Sequence, residues 1–294
     1  MTGSLKFGAV SALLLVCMGT GVLSKIFADH KCQPLTPERH VPPKEPFHVI
    51  TEEFLDKFNE VIIIGDIHGC YDEQQLLIKR HNLNDTVLKI FTGDISRKGP
   101  KNLEVIRYVR SCPSCLTVRG NNDEKTLLRV FTKLHNSSFE FIPMDKWMAN
   151  LTVDEAAWLR DVPYVLHIPS INSYVMHAGF LPGIPIRDNQ PYTILNLRTV
   201  IAAPECPGGW QLTRQEFLKD LSVPHFPWAS QWRGPEHIYF GHDHSRQLQL
   251  YPYATGVDTA CVRGHYLTGL FIKGPRKGTF ATQPALEKYY HGKV

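Results

Sequence analysis

Residues 61–75, VIIIGDIHGCYDEQQ, decide how the chain is read. Four apolar, mostly β-branched residues form a buried-strand pattern that stops at Gly65-Asp66, just before Ile67, His68 and Gly69. A strand that ends by presenting an aspartate and a histidine two residues apart, on a turn freed by glycines, has two readings. It is a capped strand running into an ordinary loop, or it is a metal site, since carboxylate oxygen and imidazole nitrogen are first-row metal ligands. The motif alone leaves both open.

The same grammar recurs along the chain. Strands are predicted at VLKIFT (87–92), CLTVRG (115–120), YVMHAG (174–179), HIYFGH (237–242) and YLTGLFI (266–272). Helices are predicted over 72–80, 100–110 and 123–133, and Thr213-Arg214-Gln215-Glu216 reads as a capping box for another. Most of the strands run into a glycine with a candidate ligand beside it. After Asp66 and His68 come Gly93-Asp94, Gly120-Asn121-Asn122-Asp123, His177-Ala178-Gly179 and Gly241-His242-Asp243-His244. In open α/β sheets ligands gather at the carboxyl ends of the strands, so motifs far apart in sequence converge in space. Satisfied structural polar groups seldom repeat such a pattern five times. No composition break divides residues 50–280, which are taken as one α/β domain.

The 294 residues are 43% apolar, enough for a sizeable core, and nothing in them suggests disorder or repeats. A formal charge of +4 is too slight for a nucleic-acid partner, which is not expected. Fourteen histidines allow several metal ligands. Residues 7–24, FGAVSALLLVCMGTGVLS, form an uncharged run between Lys6 and Lys25 that would span about 27 Å as a helix. A buried core helix is disfavoured because the run is terminal, bracketed by lysines, rich in glycine and without amphipathic period. Residues 1–28 are therefore expected to be a short cytosolic tail and membrane anchor, or a signal peptide. Residues 29–49, with five prolines over 29–48, are expected to be a linker, and 281–294 a C-terminal tail. Three N-x-S/T triplets, at Asn84, Asn136 and Asn150, exceed the roughly one that chance would give and favour a lumenal, glycosylated domain. Charge bias across the run points the other way, but it constrains a long translocated domain only weakly. The seven cysteines make no evident framework; Cys112-Pro113-Ser114-Cys115 is the one tight pair and reads as a local turn, with a disulfide if the domain is lumenal.

The ordered set GDIHG, GDISRKG, GNND, HAG and GHDH resembles the calcineurin-like metallophosphoesterases, and within them the diadenosine tetraphosphatases and their ApaH-like relatives, over roughly residues 58–275. Within these the resemblance is strongest to the fungal vacuolar endopolyphosphatases, which also pair one N-terminal anchor with this domain. The resemblance implies a four-layer α-β-β-α sandwich with a di-metal site at the strand C-terminal ends. It implies that Asp66 and His68 hold one divalent ion, that Asp94 bridges two, and that Asn121, His177 and His242 complete the second. This donor set suits Zn, Mn, Co or Fe. Such a pair polarises phosphoryl oxygens and supplies the hydrolytic nucleophile at mild pH.

Two departures bear on substrate. Protein Ser/Thr phosphatases of the superfamily pair an aspartate in GDxxDRG with a histidine in GNHE or GNHD as proton donor; here Arg97 and Asn122 stand in those places. A serine alkoxide needs a proton to leave, whereas a phosphate with its last pKa near roughly 6 departs as an anion, which favours P–O–P bonds. Lys98 replaces the family arginine, and with Arg97, Lys101, Arg233 and Arg246 it could line a track for phosphates. The expectation is thus a membrane-anchored lumenal phosphohydrolase at the vacuole membrane acting on inorganic polyphosphate. The alternatives are a dinucleoside polyphosphate hydrolase and a serine/threonine protein phosphatase.

Overall fold

In a computed structural model the described residues are 32, 40–213 and 224–292. The expected anchor (7–24) and the capping box beyond Thr213 lie outside them. Among the described residues no helix is long and apolar enough to cross a membrane.

Two predicted strands, β2 (Glu60–Ile64) and β3 (Val87–Phe91), are buried at every position, Lys89 included. That is what a strand covered on both faces demands. They pair in parallel, and β4 (Cys115–Thr117) pairs in parallel with β3. β13 (Tyr266–Lys273) and β14 (Phe280–Pro284) extend the far edge antiparallel, giving the order β14-β13-β2-β3-β4. A second, six-stranded sheet runs in the order β1 (Phe47–Val49), β5 (Val165–Ile168), β6 (Ser173–Met176), β10 (His237–Phe240), β12 (Ala254–Gly256) and β11 (Gln249–Tyr251). A small third sheet joins β7 (Thr199–Ala202) to β8 (Trp210–Thr213) and β9 (His225–Pro227).

Period-two alternation divides the apolar residues between layers. Val61, Ile63, Leu88, Ile90 and Leu270 face the other sheet and pack on Leu166, Ile168, Val175 and Val257. Ile62, Ile64 and Phe91 face outward under α2 (Tyr71–Arg80), α3 (Asn102–Ser111) and α4 (Asn121–His135), through Leu77, Val105, Val109 and Leu127. The outer face of the six-stranded sheet packs Val165, Met176, Ile238 and Phe240 against Phe180, Trp228 and the short α6 (Pro191–Asn196). This is the α-β-β-α sandwich.

The boundaries differ from expectation at both ends. The expected tail 281–294 is drawn into the fold: β14 pairs with β13, and Tyr289 and Tyr290 pack on the core. Within the expected linker 29–49, the described residues 32 and 40–49 are held by β1, by a Cys32–Cys206 disulfide and by His40 Nδ1 against Glu124 Oε1 at 2.8 Å. Cys112 and Cys115 form the second disulfide. Proline content marked a segment without helix or strand period, but extended chain pinned by a few side chains carries no such period either.

Candidate functional site

Each candidate ligand sits where the chain leaves a strand. Asp66 and His68 follow β2, Asp94 follows β3, His177 follows β6 and His242 follows β10; Asn121 opens α4. His68, Asp94, Arg97, Lys98 and His242 all have positive φ, from 48° to 74°. Left-handed backbone is costly for residues with a Cβ and persists only where the surroundings over-determine it. The strand ends approach closely because two positions carry no side chain. A Cβ on Gly241 would lie 2.0 Å from Asp66 Oδ1, and one on Gly120 would lie 2.2 Å from Asp94 Oδ1.

The side chains converge. One ligand atom from each of Asp66, His68 and Asp94 lies within 4.8 Å of the others, and this buried group could hold a metal ion. His68 Nε2 is 3.3 Å from Asp94 Oδ2, and Lys98 Nζ is 2.9 Å from the same nitrogen. Asp94 Oδ1 accepts from the Asn122 backbone N–H at 2.7 Å, and Oδ2 accepts from Asn122 Nδ2 at 2.6 Å. His177 Nε2 lies 3.5 Å from Asp94 Oδ1, 3.3 Å from Asn121 Oδ1 and 3.1 Å from His242 Nδ1.

The second nitrogens of these rings assign the protons. His177 Nδ1 faces the Thr92 carbonyl at 2.8 Å, His68 Nδ1 faces that of Ser96 at 3.2 Å, and His242 Nε2 faces that of Asn196 at 3.2 Å. A carbonyl only accepts, so each of those nitrogens carries the hydrogen and the remaining nitrogen keeps its lone pair. His177 Nε2 and His242 Nδ1 therefore aim two lone pairs at each other across 3.1 Å. That arrangement is repulsive on its own and becomes favourable when both donate to a cation, so the donor set fits a metal.

Electrostatics agree. Burial, with Lys98 or Arg198 as the next influence on His68 and His242, holds the imidazoles of His68, His177 and His242 below their ordinary pKa, in the neutral form a metal requires. Burial, then the neighbouring Asp258 and Asp94, raises Asp66 well above the usual carboxylate range. Burial also pushes on Asp94, but His177, His68 and Lys98 outweigh it and keep that carboxyl low. Asp258, pushed up to about 6 chiefly by burial, adds a third carboxylate behind Asp66.

In front of this group lies a cavity of about 370 Å³. Asp94, Asn121, Asn122 and His242 line it, together with Arg97, Lys98, Lys125, Arg198 and Arg263. The basic track expected from sequence is only partly assembled. Arg97 reaches the cavity wall but is clamped on buried Asp145, through Nε at 2.8 Å and Nη2 at 3.0 Å. Arg233 and Arg246 are not among the lining residues; Arg246 holds Asp243 and Thr199, and Arg233 donates to the Ser230 carbonyl. Lys101 pairs with Asp72 outside the cavity. Lys125, Arg198 and Arg263 were not singled out. Lys125 could have been found as the residue one helical turn beyond Asn121. Arg198 and Arg263 reach the cavity from loops whose paths no local pattern specifies. Asn84, Asn136 and Asn150 are exposed, with Asn84 Oδ1 and Asn136 Oδ1 already accepting from local backbone.

Comparison with known proteins agrees with this geometry. A symmetrical bis(5'-nucleosyl)-tetraphosphatase from Coxiella burnetii (strain CbuK_Q154) is 27% identical, over 76% of this chain and 92% of its own. The same enzyme from Actinobacillus pleuropneumoniae serotype 5b is 35% identical over a shorter stretch, 41% of this chain and 45% of its own. A crystal structure of a candidate diadenosine tetraphosphatase superposes with a TM-score of 0.69 at 27% identity, covering 83% of this chain and 99% of that one. A serine/threonine phosphatase from Saccharomyces cerevisiae, at 14% identity and TM-score 0.51, shares the fold. The similarity to these bacterial enzymes overturns the expected placement at a vacuolar membrane. The profile of the calcineurin-like phosphoesterases matches residues 60–268, and this chain belongs to that family.

Proposed function

We propose that the protein hydrolyses phosphoanhydride bonds, with dinucleoside polyphosphates of the diadenosine tetraphosphate kind as substrates. The observation that carries the metal-dependent part is the pair of opposed imidazole lone pairs of His177 and His242 beside Asp94. In this reading Asp66 and His68 hold one divalent ion, Asp94 holds two, and Asn121, His177 and His242 hold the second. Bound Zn, Mn or Co would act as a Lewis acid toward the phosphoryl group. The named bacterial relatives support the nucleotide as substrate. Lys98, with Lys125, Arg198 and Arg263, would neutralise the phosphates entering the cavity. Inorganic polyphosphate, as in the endopolyphosphatases, is the second reading; the same cations favour it, but Arg233 and Arg246 do not extend the track.

A side-by-side assay of diadenosine tetraphosphate, long-chain polyphosphate and a phosphoserine peptide with each metal tests the reading. The dinucleotide is expected to have the highest kcat/KM. A preference for the phosphopeptide would sink the anhydride assignment, and a preference for polyphosphate would replace the substrate alone.

Asn122 gives a sharper check on how the site works. It stands where a proton-donating histidine would be, yet its amide donates to Asp94 and its oxygen accepts from Arg97 Nη1 at 3.2 Å. It positions the bridge and offers no acid. Removing a hydrogen bond to a charged group costs about 1.5–3 kcal/mol, so Asn122→Ala should lower kcat roughly 10- to 100-fold. The factor should be the same for an anhydride and for an alkyl phosphomonoester. A selective loss on the phosphomonoester would identify Asn122 as part of a proton-donating chain instead. His244 is no substitute donor at neutral pH: burial, then Arg198, Arg263 and Lys98, hold it down to about 4.

A further inference from the structure

A second pocket, of about 140 Å³, opens beside the phosphate cavity and shares Asn121, Lys125, Tyr192 and Asn196 with it. Its character is opposite. Leu128 and Leu195 supply an apolar interior, where the large cavity is lined with cations. Helical spacing explains why the two meet. Asn121, Lys125 and Leu128 stand at i, i+4 and i+7 on α4, and Tyr192, Leu195 and Asn196 at i, i+3 and i+4 on α6. α4 thus carries one face that grades from polar at the catalytic end to apolar beyond it, and α6 adds Leu195 between the two shared residues Tyr192 and Asn196.

We infer that this pocket is the subsite for one nucleobase of the substrate, with Tyr192 at its mouth as the aromatic surface for the base and Lys125 facing the adjoining phosphate. The inference rests on the nucleotide reading and deepens it. A chain of phosphates has no apolar part, so a substrate made of phosphate alone gains nothing from an apolar pocket joined to its cavity. A nucleoside polyphosphate has both parts in this order, a flat heterocycle followed by anions. Asn196 adds a polar edge: its Nδ2 donates to the Tyr192 carbonyl at 2.9 Å, while among the described residues its Oδ1 takes only a 3.4 Å contact from Asn121. That oxygen retains accepting capacity for an exocyclic amine or ring N–H.

Leu128 is the residue to change, because it lines the pocket, is only partly buried and does not reach the phosphate cavity. Leu128→Trp fills the space, and Leu128→Gln makes its wall polar at nearly constant volume. Stacking of one base contributes about 1–3 kcal/mol, so the KM for diadenosine tetraphosphate should rise on the order of 10- to 100-fold in either variant. Hydrolysis of inorganic tripolyphosphate by the same preparations should stay within about twofold, which also reports that the variants fold. Calorimetry with adenosine alone should detect binding to the unaltered protein and its loss in Leu128→Gln. Equal changes on the two substrates, or no change on the dinucleotide, would overturn the pocket assignment while leaving the nucleotide reading standing. Unaltered protein that cleaves tripolyphosphate but not the dinucleotide would overturn both.

Discussion

Asp94→Asn should lose at least one metal ion and about 10³-fold or more of its hydrolytic rate, with the fold retained. The magnitude follows from what the carboxylate does. It lies against both clusters, with His68 3.3 Å from one oxygen and His177 3.5 Å from the other. Removing one preorganised electrostatic partner from an active site already costs roughly 10²–10³-fold, and here the proposed ligand of both cations is removed. The fold should survive because the amide keeps an oxygen to accept from the Asn122 backbone N–H, and because β2, β3 and β13 are held by apolar layers that Asp94 does not enter. Metal analysis of the purified variant, kcat on an anhydride substrate and a circular dichroism spectrum make the three measurements. A fully active Asp94→Asn protein carrying two ions would remove Asp94 from the site and with it the proposed arrangement. Chelation of the unaltered protein should mimic the substitution and, unlike it, be reversed by adding metal back.

How much of this was legible before the structure differs by element. β2, β3, β10 and β13 were visible because they are rich in β-branched and aromatic residues, and Gly65, Gly93 and Gly241 follow the first three. The six candidate ligands were visible because each stands at or just past the end of a predicted strand. Phe47–Val49 and Val165–Ile168 were missed: they are three and four residues long, and the first follows a run of prolines that outweighed it. Asp258 stood in a recognised stretch without a role, since only the folded chain places its carboxylate beside Asp66. The basic track illustrates the same limit from the other side. Sequence shows that Arg97 and Arg246 are positively charged, but not that each is engaged by a buried aspartate, Asp145 and Asp243. Charge is a property of a residue type; availability of that charge depends on partners remote in sequence.

Arg119→Ala should be the most destabilising single replacement near the site, by about 3–5 kcal/mol. The side chain is fully buried at the end of β4. It donates to Glu124 Oε2 at 2.7 Å, to the Val41 carbonyl and to the Arg160 carbonyl, and its guanidinium lies 5.0 Å from the centre of the Tyr164 ring. One residue therefore joins the extended segment 40–46 to α4, to the C-terminal turn of α5 (Val153–Asp161) and to β5's approach. Truncation leaves Glu124 buried with His40 as its remaining side-chain partner and strands two carbonyls. At about 2–4 °C per kcal/mol for a chain of this size, the melting temperature should fall by roughly 10 °C. Its pH dependence separates this account from a simple cavity effect. Burial is the largest influence on Glu124 and pushes its pKa up, but the bonds from His40 and Arg119 outweigh it and hold the carboxyl below its ordinary 4.5. A carboxyl depressed in the folded state contributes stability that is present above its unfolded value and lost as pH falls through the folded one. Without Arg119 the burial cost is less opposed and the folded pKa rises, so the variant's deficit should be greatest near pH 7 and shrink as Glu124 is protonated toward pH 4. Denaturant unfolding of both proteins across that range makes the measurement. A deficit constant with pH would mean that lost packing on Tyr164 and the unpaired carbonyls account for the whole effect, and that His40 and the Val41 N–H hold Glu124 without Arg119.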